Sequence, residues 1–323
     1  MLRRTFLSGL AAVSLAAIAR RALADEGSRL RSVSTEAIGT TFSFSLDNAP
    51  FPSPGGAYTD DSVLVFVPSH FRYHREEGVP LLVHFHGHNT TAERAIAQHE
   101  LHQQLADSKQ NALLIVPSLA TMAADSACGK LELPGGLSRL LSEAVATTAQ
   151  AGRGTLGASM FPHDATRGTV CLSAHSGGFH AAACCLRGGG VDVRETYLFD
   201  ALYAEQDVFR DWTVAARRAS MLHRHKLISY FTPGGATESL NTMLRAEIEH
   251  AGVPCALESQ EGSLSRHELS HVQAVFVRTE LGHSNVTWEN NALRDCLFAS
   301  ALPRHLRSTW FRRTGSRPLE PRQ

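Results

Sequence analysis

The chain has 323 residues, with 31 basic and 31 acidic side chains, so its formal charge is zero. Balanced charge argues against nucleic acid or an anionic membrane as the main partner, and the length suits one large α/β domain with a well-filled core.

At the N-terminus Arg3 and Arg4 precede an apolar, alanine-rich run that is too short to span a membrane stably. Ala22-Leu23-Ala24 then supplies small residues at the positions a signal peptidase reads. Arg3-Arg4-Thr5-Phe6-Leu7 resembles a bacterial twin-arginine signal, although Arg20 and Arg21, between the apolar run and the cleavage site, are unusual in one. The expectation is a signal peptide over residues 1–24, cleaved after Ala24, and a periplasmic or secreted mature protein without stable membrane insertion. An uncleaved membrane anchor is the alternative. No other stretch is apolar enough to span a bilayer.

Asp25 to Ser34 reads as a frayed end. Thr41 to Leu46 alternates polar and apolar residues and Ser62 to Val67 is β-rich; the pair reads as edge strands, joined by a loop carrying Pro50, Pro52, Pro54, Gly55 and Gly56. Val79 to Phe85 is a strong strand that ends in His86-Gly87-His88-Asn89, followed by helical character from Ala92 to Asp107. Ala112 to Val116 is a strand closed by Pro117. Residues 118 to 136 are irregular, and Leu137, Leu140, Leu141 and Ala144 then have the i, i+3, i+4, i+7 spacing of an amphipathic helix.

Thr169 to Ser173 is a short buried strand, and His180 to Leu186 a buried, Ala- and Cys-rich helix stopped by Gly188-Gly189-Gly190. Further strands are predicted at Thr196 to Phe199, ending at Asp200, at Leu227 to Phe231, and at Ala274 to Thr279, ending in Leu281-Gly282-His283-Ser284. Helices alternate with them, up to about Arg218, over Glu238 to Ala251, and near Asn290 to Ala301. This alternation predicts an α/β fold with a mostly parallel central sheet and helices on both faces, in a single domain over 25–302. No internal repeat is present, and the Arg-rich tail, 303–323, reads as loose. In such sheets sites form beyond the carboxyl ends of the strands, where each polar cluster discussed below falls.

The most informative stretch is Ala174-His175-Ser176-Gly177-Gly178, between a strand and a helix. A strand that turns at once into a helix brings two backbones nearly into contact, so small residues are needed two places either side of the tip; Ala174 and Gly178 meet that need. The tip, Ser176, is forced into a strained φ/ψ with its side chain beyond the sheet edge. The segment resembles the nucleophile elbow G-x-S-x-G of α/β-hydrolases, with Ala174 in place of the first glycine. The resemblance covers about residues 60 to 300 and implies an α/β-hydrolase fold and a serine hydrolase that forms an acyl-enzyme, acting on a small-molecule or polymeric carboxylic ester, or less favourably an amide, with no cofactor. A large lid is not evident, which disfavours a true lipase.

A serine hydroxyl needs a base to take its proton and a third group to orient that base. The family order of serine, acid, histidine is met by Ser176, Asp200 and His283. His283 follows the last strand after a glycine, where the family places its base. The acid is left as a choice: Asp200 ends the strand after the elbow helix, whereas Glu238 follows the next strand, the more usual place, but opens a helix, where a carboxylate also suits the dipole. The resemblance places the oxyanion donors at the backbone N–H of Gly177 and in the His86-Gly87-His88 loop, with His88 as the second donor. His175, beside the nucleophile, is expected to pack or hydrogen-bond rather than react.

Two other classes compete. Alternate histidines on a strand share a face, so His84, His86 and His88 suggest a metal-dependent hydrolase, but that leaves Ser176 and His283 unexplained. A non-catalytic binding module on the same fold would leave the order of serine, acid and histidine unexplained. Six cysteines, at 128, 171, 184, 185, 255 and 296, have no C-x-x-C spacing to suggest a metal, and those in core elements act as small hydrophobes; no disulfide is predicted. Lys130 and Glu132 lie in the long loop and read as solvated charges, the alternative being a pocket lining.

Overall fold

A strand buried on both faces sends alternate residues to opposite layers, and that rule organises the computed structural model, which describes residues 27–157, 161–162, 164–220 and 223–304. In β3 (Ser62–Pro68) Val63, Val65 and Val67 face one apolar layer while Leu64 and Phe66 face the other. In β4 (Val79–Phe85) Leu81, Val83 and Phe85 join the first layer and Leu82 the second. The first layer is closed by α3 (Gly136–Thr155), α4 (Phe179–Gly188), α5 (Gln206–Ala215) and α6 (Ala236–His250); the second by α1 (Ala92–Gln98), α2 (Leu101–Ser108), α7 (Arg266–His271) and α8 (Ala292–Phe298). The expected leucine stripe on α3, Leu137, Leu140, Leu141 and Ala144, is buried in the first layer.

The remaining strands are β1 (Arg29–Glu36), β2 (Gly39–Ser45), β5 (Leu113–Pro117), β6 (Arg167–His175), β7 (Val193–Phe199), β8 (Lys226–Phe231), β9 (Cys255–Glu258) and β10 (Ala274–Arg278). They form one sheet in the order β1-β2-β3-β5-β4-β6-β7-β8-β10-β9. The strands from β5 to β9 along this order run parallel; β1, β2 and β3 pair antiparallel, as does β3 with β5. This is the α/β-hydrolase fold, a mostly parallel sheet covered by helices on both faces. The chain goes from β4 to β5 on one side and returns to β6 on the other, so a crevice opens beyond the carboxyl ends of β4 and β6. Their register, His84 opposite Ser173 and Phe85 opposite Ala174, sets the His86-Gly87-His88 loop beside the Ser176 turn.

Several expectations need correction. The supposedly frayed segment includes β1, whose eight residues are all exposed; without an apolar face it has no periodic signal, yet it pairs with β2 along its length. Neither β2 nor β3 is therefore an edge; β1 and the four-residue β9 are. The helical character of 92–107 is broken into α1 and α2 at His99–Glu100, where Glu100 has φ 49°. The short α7, started by a capping box between Ser265 and Glu268, and β9 fill a stretch for which no element is predicted from sequence. The tail is not loose at its beginning, because the Asn111 N–H donates to the Pro303 carbonyl at 2.7 Å and Arg304 bridges to Gln110.

The proposed signal peptide and residues 305–323 lie outside the described residues. Among the described residues no helix is long and apolar enough to cross a membrane, and all six cysteines are free thiols.

Candidate active site

The turn after β6 is as tight as its sequence demands. Ser176 has φ 52°, in the left-handed region, where a side chain costs roughly 1–2 kcal/mol. A short 3₁₀ turn over Ser176–Gly178 leads directly into α4. Small residues are compulsory around it: a Cβ on Gly178 would lie 2.4 Å from the Phe85 carbonyl oxygen, and one on Gly87 would lie 2.8 Å from Ser176 Cβ.

Three sequence-distant side chains meet at this turn. Ser176 Oγ is 2.8 Å from His283 Nε2, and His283 Nδ1 is 2.6 Å from Asp200 Oδ2. A carboxylate only accepts, so the His283 proton sits on Nδ1 and donates to Asp200; the Nε2 lone pair is then free to accept from the Ser176 hydroxyl. The arrangement can deprotonate Ser176 as its oxygen attacks an electrophile and can stabilise the imidazolium formed. Asp200 immediately follows β7 with φ 45° and is buried. Its Oδ1 accepts from Thr237 Oγ1, and Thr232 Oγ1 donates to Oδ2 at 3.4 Å. Burial works to raise the Asp200 carboxyl, but the hydrogen bonds from His283 and Thr237 outweigh it and hold the group below the usual carboxylate range.

Glu238, the other candidate acid, is elsewhere engaged: its Oε2 accepts the Gly234 N–H at 2.8 Å, at the start of α6. Thr232, from the loop after β8, and Thr237, in the first turn of α6, thus both hold Asp200 by their hydroxyls. Neither threonine is marked in the sequence, because a threonine near Pro233-Gly234-Gly235 carries no signal of its through-space partner.

His283 is seated from behind. His175 Nε2 donates to the His283 carbonyl at 2.9 Å, the hydrogen-bonding role expected for it, and the two rings lie 4.8 Å apart. His99 follows at 4.5 Å from His175, and His84 at 6.0 Å from His99, so a column of imidazoles leads from the core to His283. Burial, then the neighbouring histidines, pushes His99 down to about 3. Burial likewise pushes His175 down to about 4. Both are neutral near pH 7 and place no charge beside His283. On the open side the half-exposed Tyr203 packs edge-on to His283 with ring centroids 6.2 Å apart.

The His86-Gly87-His88 loop is fixed by His86. The Leu119 N–H donates to His86 Nε2 at 2.9 Å, so the ring proton is on Nδ1, which donates to the Gly87 carbonyl at 2.8 Å. The carbonyl of Gly87 and the N–H of His88 belong to one trans peptide and point in opposite directions. The buried His86 thereby holds the Gly87–His88 peptide through its carbonyl. The His88 ring lies against Gly177, where a Cβ would come within 2.2 Å of ring Cδ2, and its Nε2 is 2.8 Å from Ser126 Oγ. The triple-histidine metal reading is not supported: the buried His84 bonds Ser173 Oγ at 2.6 Å, both His86 nitrogens are engaged, and His88 turns to Ser126.

A cleft of ≈ 410 Å³ opens between the loop around Phe51 to Tyr58 and the segment from Asp125 to Leu133. Glu132 is exposed, as expected of a solvated charge, and also borders this cleft, while Lys130 Nζ donates to the Asp47 carbonyl at 2.7 Å. Ser126, from the same segment, ties the cleft to His88.

No protein-family model matches the chain, and neither does any curated protein sequence. Among solved structures the chain is similar to a ferulic acid esterase, at 14% identity and TM-score 0.42, covering 84% of this chain and 97% of that one. It is also similar to an S-formylglutathione hydrolase from Staphylococcus aureus, at 11% identity and TM-score 0.48, covering 85% and 98%. A carboxyl esterase from Tuber melanosporum matches at 14% identity and TM-score 0.43, covering 83% and 89%.

Proposed function

We propose that this chain is a serine hydrolase that cleaves carboxylic esters through an acyl-enzyme on Ser176. The observation that carries the reading is the hydrogen-bonded line from Ser176 Oγ through His283 to the buried Asp200. His283 takes the Ser176 proton as Oγ attacks the ester carbonyl, then gives it to the leaving alkoxide; water repeats the cycle to release the acid. The negative charge on the tetrahedral carbonyl oxygen is received by the N–H groups of Gly177 and His88.

A panel of p-nitrophenyl esters of increasing acyl length, with one matched p-nitroanilide, tests this reading. Turnover of at least one ester well above that of the anilide is expected. A folded protein that turns over none of them would instead be a binding module on a hydrolase fold.

We further propose export by the twin-arginine route, supported by Arg3-Arg4 and Ala22-Leu23-Ala24. N-terminal sequencing of the mature protein from a bacterial host should begin at Asp25. Replacing both arginines with lysine should leave precursor in the cytoplasm, and unchanged export of that variant would rule the route out.

A further inference from the structure

One cluster has no part in the proposed ester chemistry. His180 and Cys184 are four residues apart on α4, so they share a helix face. Cys128 immediately precedes the 3₁₀ turn Gly129–Glu132, with Glu132 four residues on. The fold sets these two pairs against each other: the side-chain ligand atoms of Cys128, His180 and Cys184 all lie within 4.8 Å of one another. Cys184 Sγ is 3.5 Å from His180 Nε2, and Glu132 Oε1 is 4.0 Å from the same nitrogen.

These spacings suit side chains that share one metal ion. A tetrahedral zinc ion with Zn–S about 2.3 Å and Zn–N about 2.0–2.1 Å separates its sulfur and nitrogen ligands by ~3.6 Å. The histidine is also prepared. His180 Nδ1 is 3.0 Å from Glu205 Oε2, and that carboxylate is held in turn by Arg187 at 3.1 Å. Because Glu205 can only accept, the ring proton lies on Nδ1 and the Nε2 lone pair faces Cys184. A carboxylate behind the imidazole is the support that metal-bound histidines ordinarily have.

We propose that Cys128, Cys184 and His180, completed by Glu132, bind a zinc-class divalent cation at a closed structural site, with both cysteines as thiolates whose protons pass to solvent. Two thiolates and an imidazole select a borderline-soft ion over magnesium or calcium. The ion joins the segment that lines the cleft and carries Ser126 to the helix that begins three residues after Ser176. It braces the cleft wall against the elbow without touching the Ser176 hydroxyl. The sequence does not announce the site because the cysteines lie 56 positions apart, with no C-x-x-C pair.

The test uses the full chain, purified under reducing conditions and stripped by chelator. Titration with cobalt(II) should give a single equivalent of uptake, with a thiolate-to-cobalt charge-transfer band and tetrahedral visible bands. Zinc should displace the cobalt and raise the melting temperature, and Ser176→Ala should behave as wild type. Cys184→Ser should remove the charge-transfer band or halve it, and Glu205→Gln should weaken zinc binding about 10- to 100-fold. Absence of uptake, an octahedral cobalt spectrum without a thiolate band, or unaltered binding by both variants would overturn the site. So would a Cys128–Cys184 disulfide, seen by intact mass and peptide mapping of the natively isolated protein.

Discussion

Ser176→Ala is expected to lower kcat for the best p-nitrophenyl ester by about 10⁶ and to abolish covalent labelling by a fluorophosphonate probe. Its oxygen is the only atom removed, and that oxygen lies 2.8 Å from the His283 nitrogen that would take its proton. Serine and alanine both carry a Cβ, so the left-handed strain at φ 52° is common to both and the fold should survive. Circular dichroism and the melting temperature should therefore be nearly unchanged. Ser176→Gly should be just as inactive yet more stable, by about 1 kcal/mol, because it releases that strain. Retention of labelling in Ser176→Ala, with the probe mapped to another serine, would remove Ser176 from the mechanism.

The second large effect concerns the acid. Asp200→Asn should lose up to about 10⁴ in kcat while remaining folded, whereas Glu238→Gln should keep nearly all of its turnover. At position 200 the Thr237 hydroxyl can still donate to an amide oxygen in the place of Oδ1, which puts the amide NH₂ in the place of Oδ2, facing His283 Nδ1. That nitrogen must then accept, the ring proton moves to Nε2, and the lone pair that receives the Ser176 proton is lost. The imidazolium formed during attack also loses its buried countercharge. Glu238 bonds the Gly234 N–H at the start of α6, so its replacement should cost only ~1 kcal/mol of stability. Measurement of kcat for both variants decides the matter. The reverse pattern would transfer the role to Glu238; substantial activity in both would mean that Ser176 and His283 act as a dyad.

The parts of this protein that were legible in the sequence are those written in local patterns. The alternation of apolar strands with amphipathic helices implied a mostly parallel sheet covered on both faces, because burial repeats at the period of each element. The small residues around Ser176 implied the strained turn, since backbone contact two places either side of it forbids larger ones. Asp200 and His283 were legible as polar residues at strand ends. What the tertiary structure decided was which groups meet. His283 lies 107 positions from Ser176 and 83 from Asp200, and only the order β6-β7-β8-β10 brings their carboxyl ends to one edge. The same order supplies Asp200 with Thr237, occupies Glu238 elsewhere, and stacks His84, His99 and His175 behind His283. It also sets Cys128 against His180 and Cys184. Strand β1 escaped notice because an exposed strand can be held by its backbone ladder alone, and main-chain hydrogen bonds leave no mark on side-chain periodicity.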